Sequence, residues 1–560
     1  MTRRLIIPVL GALLFFWLAL NSMVGDSPTM DEQNHLARGL AFIRTGDPRL
    51  SLEHPPLINA LSALPLLTLP NIRLPTDHPS WSQPQGWYEF ADLLLWQYNH
   101  DVTRMIFLAR LPIVFLALGL AVVGFRFAQA LWGEPAGPIA FLLLLFDPNL
   151  LAHARYTTTD LGGTLFILLA AFLLWRHWRA SRFGTWRFIW AGIGLGLAYS
   201  SKLSSLAFIP IFGLLAVLPL YGRGWSARRA AQRLMRFAIM NVIALAVVWA
   251  SFGFQWGPLQ FQTSRLDLFN GLAAPMPTFW AGVEQIGLIS TGGRPAFLLG
   301  QTSTSGFPAY FPVAFLAKTP LTTLVLLLLT IWFLLIATRD TSVRQRGVFL
   351  LLPAGLYFLL SMSSGLNIGY RHLLPMLPFL YVAIAGALAR LAQRSPAGAS
   401  LSRWERLRPA LPQAFVLVLI VETISIHPYY LSFFNLLAGG PANGYRILVD
   451  SNVDWGQDLL RLRTWMREND VASVDLSWFG TADPAYYDIS YTPLPGLPRH
   501  FDLWWDLPFN PQQPPPGVYA ISVSNLWELP LQDEKVVFPW FRARPPDDRV
   551  GYSILIYDVH

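Results

Sequence analysis

About eleven stretches of the sequence are apolar over roughly the 20 residues that an α-helix needs to cross the hydrocarbon core of a bilayer. Charged residues make up only 13% of the 560 residues, against about 25% in soluble domains. Both features predict a polytopic α-helical membrane protein. The predicted spans are residues 5–24, 105–127, 134–151, 161–177, 186–201, 203–221, 234–256, 320–337, 347–363, 372–390 and 410–427.

Arginine is concentrated in alternate connections between these spans, and this pattern predicts the orientation of the chain. Basic residues in short loops stay on the cytoplasmic side of a membrane. They are Arg3, Arg4, Arg126, Arg176, Arg179, Arg182, Arg187, Arg223, Arg228, Arg229, Arg233, Arg236, Arg339, Arg344, Arg346, Arg390, Arg394, Arg403, Arg406 and Arg408. We therefore expect a multi-pass protein of the cell membrane with a cytoplasmic N-terminus and three long outer segments, residues 25–104, 257–319 and 428–560.

The tail differs from the rest of the chain in charge. Residues 428–560 carry 9 Lys and Arg against 16 Asp and Glu, although the whole chain has a formal net charge of +8. The basic excess therefore lies in the membrane part, where it indicates topology, and it does not predict a nucleic-acid partner.

The tail is long enough to form a small domain of its own. Residues 456–469 have the pattern of an amphipathic helix, and β-forming residues are enriched in three stretches, 472–479, 517–523 and 553–559. The sequence thus predicts a membrane domain over residues 1–427 and an extracytoplasmic α/β domain over residues 428–560.

Acidic residues and a histidine follow the first span, in a long outer segment of the kind that often carries function. A carboxylate such as Asp31 or Glu32 at the water–membrane boundary could accept a proton from a hydroxyl or an amine. The spacing Thr29-x-x-Glu32 fits a helix capping box equally well. Glu53 and His54 precede a double proline, which could hold both at a fixed height above the membrane or simply direct the chain into the next helix.

Isolated cations at the predicted outer ends of spans form a second set of candidates. Lys202 is the most notable, because the chain contains very few lysines. A cation such as Lys202, Arg155 or Arg371 could bind a lipid headgroup or a phosphate leaving group, or it could merely extend its charge towards water. Asp160 could act in the chemistry or cap a helix.

Three aspartates in the tail raise the question of a metal site. Asp450, Asp454 and Asp458 lack the spacing and the glycine of a calcium-binding loop. Helix capping by Asp454 together with Gln457 is the favoured interpretation.

Four stretches of the sequence resemble the GT-C superfamily of membrane glycosyltransferases, which includes the protein O-mannosyltransferases of glycosyltransferase family 39 and the aminoarabinose transferases of lipid A. They are Asp31-Glu32, the run from Glu53 to Leu57, the run from Arg155 to Asp160, and the run from Tyr310 to Pro320. The tail stretch from Tyr445 to Asp458 is similar to one found in uncharacterised bacterial members. The resemblance covers most of the chain.

This resemblance implies a polyprenyl-phosphate-sugar-dependent hexosyl or pentosyl transferase that moves its sugar to an extracytoplasmic acceptor by an inverting displacement. Asp31 would be the catalytic base and Glu32 and Asp160 supporting acids, with Asp31 and Asp160 as ligands of a possible divalent metal ion. No nucleotide is implied, because the lipid-linked sugar is made inside and flipped outward. The residues implied for binding the donor phosphate are His54, Arg155, Lys202, Arg294 and Arg371.

The lipid A transferases have lysine at the position of His54, and a neutral imidazole would bind phosphate more weakly than lysine. Besides membrane lipid and the donor, the implied partner is an acceptor protein, lipid or glycan. Two other classes of function stay open on the sequence alone. Many spans with intramembrane charges also suit a transporter, and the Trp-rich tail could belong to a non-catalytic protein that binds envelope glycans.

Overall fold

The structure is a computed structural model, and it describes residues 2–83, 86–180, 184–221, 224–392, 407–496, 498–499, 502–503, 508–529 and 536–560. Five of the arginines on which the predicted orientation depends, Arg182, Arg223, Arg394, Arg403 and Arg406, lie outside these residues.

Apolar helices make up most of the described chain before the tail. In chain order they are α1 (Thr2–Val24), α2 (Glu32–Thr45), α3 (Pro56–Ala63), α4 (Pro79–Ser82), α5 (Trp87–Asp92), α6 (Val102–Trp132), α7 (Ala136–Leu145), α8 (Pro148–His153), α9 (Asp160–Arg179), α10 (Thr185–Ser201), α11 (Phe208–Val217), α12 (Ala227–Ser251), α13 (Pro277–Gly292), α14 (Tyr310–Lys318), α15 (Leu321–Ile331), α16 (Thr341–Met362), α17 (Leu377–Leu391) and α18 (Leu411–Ser425). Short 3-10 turns, among them Leu203–Ala207 and Tyr370–Met376, lead into several of these helices.

Within the described residues, seven helices are long and apolar enough to cross a membrane, and an eighth span results if α14 and the helix that follows it, bent by 110°, are counted together. The polytopic helical fold is therefore confirmed. Three predicted spans coincide with shorter helices: α7 with 10 residues, α10 with 17 and α11 with 10. The count of eleven spans stays a prediction.

The first outer segment folds back onto the ends of the membrane helices. Helix α2 buries the apolar face that includes Leu36 and Leu40, and it ends at Gly46, whose φ of 73° is the left-handed conformation that favours glycine. Helix α2 crosses α3 so closely that a Cβ on Gly39 would lie 1.9 Å from the backbone oxygen of Asn59. Helix α3 in turn presses Ile58 against Gly162 at the start of α9. These contacts bring Asp31, which precedes α2, towards Asp160.

The second outer segment contains two small antiparallel hairpins around α13. They are formed by β1 (Trp256–Pro258) with β2 (Ala273–Pro275), and by β3 (Ala296–Leu298) with β4 (Gln301–Ser303). The loop after α13 carries Arg294, whose backbone amide donates a hydrogen bond to the carbonyl of Gly365, at 3.2 Å. This bond ties the segment to the connection that precedes α17.

The tail contains a mixed five-stranded sheet, which confirms the predicted α/β character. Its strand order is β10 (Asp548–Val550), β11 (Ile554–Val559), β9 (Gly517–Ser522), β5 (Val474–Ser477) and β6 (Tyr491–Pro493). Strand β5 is parallel to both of its neighbours, and the other pairs are antiparallel. A further antiparallel pair joins β7 (Pro498–Arg499) to β8 (Asp502–Leu503). The tail helices are α19 (Leu459–Glu468), α20 (Val523–Leu526) and α21 (Pro539–Arg542).

The predicted helix cap in the tail is wrong. Helix α19 begins at Leu459, so Asp454 lies too far upstream to cap it. The Asp454 carboxylate instead accepts hydrogen bonds from the backbone amides of Ser524, at 3.1 Å, and Gly456, at 3.4 Å. Asp454 therefore holds the loop before α19 against the sheet.

Candidate active site

A cavity of about 290 Å³ lies where the outer segments meet the ends of α9, α10 and the turn before α17. The first and second outer segments, the start of α9, the turn after α10 and the region from the end of α16 to the turn before α17 all contribute residues to its lining. Six of the residues predicted from the sequence are among them: Asp31, His54, Asp160, Lys202, Arg294 and Arg371. The fold thus brings together candidates that are remote in sequence.

Asp31 and Arg371 form the first ion pair of the cavity. Arg371 Nη1 donates to Asp31 Oδ2 at 2.8 Å, and the two side chains are 11% and 26% exposed. Burial alone would raise the pKa of the Asp31 carboxyl, but Arg371 and then His35 counteract it, and the net effect lowers the pKa below its ordinary value. Asp31 is therefore ionised near neutral pH and can accept a proton.

Asp160 and Lys202 form the second ion pair. Asp160 is the first residue of α9, and Lys202 directly follows the last residue of α10, so two consecutive antiparallel helices place them at the same end of the bundle. Lys202 Nζ donates to Asp160 Oδ1 at 2.5 Å. A Cβ on Gly163 would lie only 3.2 Å from Cβ of Lys202, so the missing side chain leaves room for the lysine along α9.

Glu53 forms the third group, between two arginines. Its carboxylate lies 3.3 Å from Arg38 Nη2 and 3.7 Å from Arg294 Nη2. Arg38 is only 2% exposed, whereas Arg294 is 44% exposed at the mouth of the cavity. One carboxylate therefore faces two cations.

Sequence reasoning missed Arg38, together with Asn34 and His35, although all three line the cavity. They follow Asp31 at spacings of three, four and seven residues, which places all four on one face of α2. The sequence shows this polar stripe opposite the apolar face of the same helix. Reading both faces would have found these residues.

His54 lies in the cavity wall as a neutral imidazole. Burial, then His35 and Arg38, lower its pKa well below the ordinary value, and burial and Arg38 lower the pKa of His35 to about 4. The two rings lie 4.7 Å apart, centre to centre. His54 can form hydrogen bonds, as it does with the hydroxyl of Thr159 at 3.4 Å, but it adds no positive charge for a phosphate at neutral pH.

The structure does not place Glu32, a predicted catalytic acid, in the cavity. Its side chain is fully buried, and both carboxylate oxygens accept hydrogen bonds from Arg110, at 2.7 and 2.8 Å. The backbone amides of Thr29 and Thr157 complete its partners, both at 2.8 Å. The Thr29 contact is one half of the capping box. Glu32 is therefore a buried structural anion that ties α2 to α6 and to the turn before α9.

The predicted phosphate ligand Arg155 is likewise outside the cavity lining. Its guanidinium is 1% exposed and pairs with Asp26, which also accepts a hydrogen bond from the Tyr156 hydroxyl at 2.8 Å. The same nitrogen, Nη1, also donates to the carbonyl of Ser22 at 3.1 Å. Because these partners are buried with it, Arg155 stabilises the end of α1 and is not available to a donor.

The predicted metal ligands Asp31 and Asp160 do not fit a metal ion in this arrangement. Each carboxylate already faces a cation, Arg371 or Lys202, at hydrogen-bonding distance. Among the residues that the structure describes, no group of three or more His, Asp or Glu side chains has the arrangement of a metal site. A divalent cation needs several oxygen ligands, and these paired carboxylates do not offer them.

Comparisons with known proteins bear on the same region. Residues 49–263 match the family described as dolichyl-phosphate-mannose-protein mannosyltransferase, a range that includes Glu53, His54, Asp160 and Lys202. Comparison with curated proteins finds no match.

Solved structures similar to this chain include the S. cerevisiae protein O-mannosyltransferase Pmt1–Pmt2 complex bound to the sugar donor, with a TM-score of 0.50, 11% identity, and coverage of 87% of this chain and 94% of that chain. ArnT from Cupriavidus metallidurans bound to undecaprenyl phosphate gives a TM-score of 0.46 and 14% identity, covering 98% of this chain and 97% of that one. The chain is thus a multi-pass membrane protein with the GT-C glycosyltransferase fold, and its residues 49–263 are similar to the dolichyl-phosphate-mannose-protein mannosyltransferases.

Proposed function

We propose that the protein transfers a sugar from a polyprenyl-phosphate donor to an acceptor outside the cytoplasm. The observation that carries the proposal is the convergence of an ionised carboxylate, Asp31, with the cations Lys202, Arg294 and Arg371 on one cavity at the ends of the membrane helices. The sugar donor named for the Pmt1–Pmt2 complex and the family match over residues 49–263 support this class of donor.

Asp31 is proposed as the general base. An acceptor hydroxyl or amine within hydrogen-bonding reach would give its proton to the Asp31 carboxylate as its oxygen or nitrogen attacks the anomeric carbon. A bond forms between acceptor and anomeric carbon while the bond from that carbon to the phosphate oxygen breaks. The configuration is inverted, and Arg371 holds the carboxylate in place without taking part in bond formation.

The cations of the cavity are proposed to stabilise the leaving polyprenyl phosphate. Negative charge grows on the phosphate oxygen as the bond to the sugar breaks, and nearby Lys and Arg stabilise that charge more strongly in a site with little water. Lys202, Arg294 and Arg371 are the candidates, and each of them also faces a carboxylate, that of Asp160, Glu53 or Asp31. His54 would contribute a hydrogen bond only.

The same proposal places the N-terminus in the cytoplasm and both the cavity and the tail outside it. The arginine-rich connections support this orientation. Because the chain contains no cysteine, a single introduced thiol can be labelled without background. An impermeant maleimide added to intact cells should label Glu468→Cys in the tail and leave Arg344→Cys unlabelled, both positions being exposed. The reverse result would place the cavity on the cytoplasmic side and contradict the proposal.

Turnover of the purified protein tests the function directly. In a membrane mimetic, the purified wild-type protein should consume polyprenyl-phosphate sugars. In cells, mass spectrometry of the envelope should show a glycan that disappears when the gene is deleted. Asp31→Asn should bind the donor but lose turnover. Asp47→Asn is the matched control, because Asp47 pairs with Arg49 on the surface, away from the cavity.

Three results would separate the classes of function. Donor binding that Asp31→Asn retains, together with turnover that it loses, supports the transferase. Movement of a solute across the membrane without a change in any glycan would indicate a transporter. Unchanged glycans together with no turnover of any polyprenyl-phosphate sugar would refute the enzymatic proposal.

A further inference from the structure

One residue of the tail, Trp455, lies behind the Asp31–Arg371 pair. Its side chain is 1% exposed, and Cζ of Arg371 lies 4.2 Å from the centre of its ring. Trp455 does not line the cavity itself. We propose that Trp455 is a positioning residue that sets the geometry of the Asp31–Arg371 pair, so that the C-terminal domain completes the active site. This inference rests on the proposed transferase function.

The ring of Trp455 is the face on which the Arg371 guanidinium rests. A guanidinium stacked on an aromatic face is attracted by the ring and keeps its planar orientation. Nε of Arg371 is buried with no hydrogen-bond partner in the described structure, and Nη1 donates to Asp31. Within the described part of the chain, the Asp31 carboxylate and the Trp455 ring contact the guanidinium directly, and the carboxylates of Asp160 and Asp450 act on its charge without a hydrogen bond.

The backbone of Trp455 holds the other member of the pair. Its carbonyl accepts a hydrogen bond from the backbone amide of Met30, the residue before Asp31, at 2.8 Å. Three residues before Met30, Ser27 donates from its backbone amide to the carbonyl of Gln457 at 2.9 Å and from its hydroxyl to the carbonyl of Gly456 at 2.8 Å. Residues 27–30 thus lie along residues 455–457. A single residue fixes both Arg371 and the backbone that carries Asp31.

Trp455 is itself held rigidly. The rings of His153 and Tyr156 meet it edge-on, with centroids 5.8 and 6.0 Å away. Its amide donates to the side chain of Gln457 at 2.8 Å. Gly456 has a φ of 86°, and a Cβ there would come within 3.0 Å of the Cα of Gly480, so the turn after Trp455 requires glycine.

A separate ion pair holds the tail against the same segment of the membrane domain. Arg461 on α19 lies 2.6 Å from Asp26, and it also pairs with Asp458. Asp26 is fully buried and its second oxygen faces Arg155. This contact fixes the tail independently of Trp455, so a change confined to the ring should leave the tail docked.

The test compares variants at Trp455 in the full-length protein in a membrane mimetic. Trp455→Leu removes the aromatic face and should lower kcat about 10- to 100-fold, because small displacements of a catalytic pair cost this much. The KM for the donor should change by less than about threefold, because the transition state is affected and not ground-state binding. Trp455→Phe keeps an aromatic face and should retain kcat within about threefold of the wild type.

Two further variants distinguish a positioning role of Trp455 from a loss of tail stability. Phe541→Leu removes a ring from the tail core, where Phe541 is fully buried against Tyr519 and Tyr557. It should lower the melting temperature but leave kcat unchanged. Trp455→Met fills the space with an apolar but non-aromatic side chain, and it serves as the second test if Trp455→Leu does not fold.

The outcomes separate this inference from the proposed function. A non-aromatic Trp455 variant that folds, binds the donor and keeps wild-type kcat would overturn the inference while the function stands. Equal losses of kcat in Trp455→Leu and Phe541→Leu would also overturn it, because tail stability alone would explain both. A wild-type protein without turnover would overturn the proposed function and this inference with it.

Discussion

Asp31 and Glu32 are neighbours in sequence, yet Asp31 lines the cavity, whereas Glu32 is fully buried against Arg110. Glu32→Gln removes the charge from a fully buried carboxylate and leaves Arg110, itself 2% exposed, without its hydrogen-bonded counter-ion. Breaking a buried ion pair in this way costs about 3–5 kcal/mol. Arg110 keeps hydrogen bonds to the carbonyls of Met23, Asp26 and Ser27, so we expect the lower end of that range.

Asp31→Asn should have the opposite effect, with turnover lost and stability retained. The Asp31 side chain is 26% exposed and that of Arg371 11%, so this pair is less buried than the pair of Glu32 and Arg110. The loss of a partly exposed ion pair costs about 1 kcal/mol or less. The loss of a general base lowers turnover by about 10²- to 10⁴-fold. One variant should therefore lose stability with its turnover retained, and the other should lose turnover with its stability retained.

The two effects can be measured on the same samples. Tryptophan fluorescence during thermal or chemical unfolding gives stability, and turnover is expressed per folded molecule. Adding Arg110→Met to Glu32→Gln removes the uncompensated charge and should restore part of the lost stability. A Glu32→Gln protein that melts like the wild type but has lost turnover would refute the assignment and make Glu32 a catalytic acid.

The pH dependence and the effect of metal removal follow from the same ion pairs. Because the Asp31 pKa is lowered, the carboxylate stays ionised until the pH falls through that lowered value, so kcat/KM should show no acidic decline attributable to Asp31 from about pH 7 down to pH 5. Arg371→Gln removes the main group that lowers the Asp31 pKa and leaves burial, which raises it. The acidic limb of the pH–rate profile should therefore move to higher pH. A limb that does not move would contradict the role of Asp31. Chelator treatment should leave turnover unchanged, because Asp31 and Asp160 already face cations; activity that is lost on dialysis against EDTA and restored by a divalent ion would contradict this.

The membrane fold could be predicted because apolar length is a local property of the sequence. Boundaries were less predictable where polar residues and proline break an apolar run. The run over residues 134–151 is divided at Asp147, whose carboxylate accepts from the amide of Leu150 and starts α8. Helix α10 stops at Lys202, whose side chain turns towards Asp160. Local hydropathy contains no information on such long-range partners.

Most residues of the candidate site could be predicted from the sequence, but the way they pair could not. Adjacent residues on a helix point about 100° apart, so the sequence could not tell which of Asp31 and Glu32 faces the cavity. The answer depends on Arg110, which only the packing of α6 supplies. The position of Trp455 could not be predicted either. Residues 27–30 and 455–457 contact each other across 429 positions of the chain, as the hydrogen bond between Ser27 and Gly456 shows.

The charges that line the cavity suggest how the donor is selected. Four cations, Arg38, Lys202, Arg294 and Arg371, face the three carboxylates of Asp31, Glu53 and Asp160. The lowered pKa values of His35 and His54 keep those two imidazoles neutral at pH 7. Among these seven ionised side chains one positive charge is left over; His372 also lines the cavity, and the buried carboxyl of Asp450 interacts with Arg371 and Arg294 from outside the lining. A sugar linked through a phosphodiester carries one negative charge, so its entry would neutralise the cavity.

Lys202 and Asp160 allow this charge balance to be tested without turnover. Lys202→Met should weaken binding of the polyprenyl-phosphate sugar about tenfold or more, because it removes the surplus and leaves the Asp160 carboxylate, 4% exposed, to repel the ligand. Adding Asp160→Asn restores the balance, so the double variant should recover much of the affinity although both native side chains are gone. If Lys202 instead acts by touching the phosphate, the double variant will bind as weakly as the single one. Binding of the single and double variants measured by calorimetry under the same conditions distinguishes these outcomes, because Asp160→Asn restores the affinity only if the charge balance decides it.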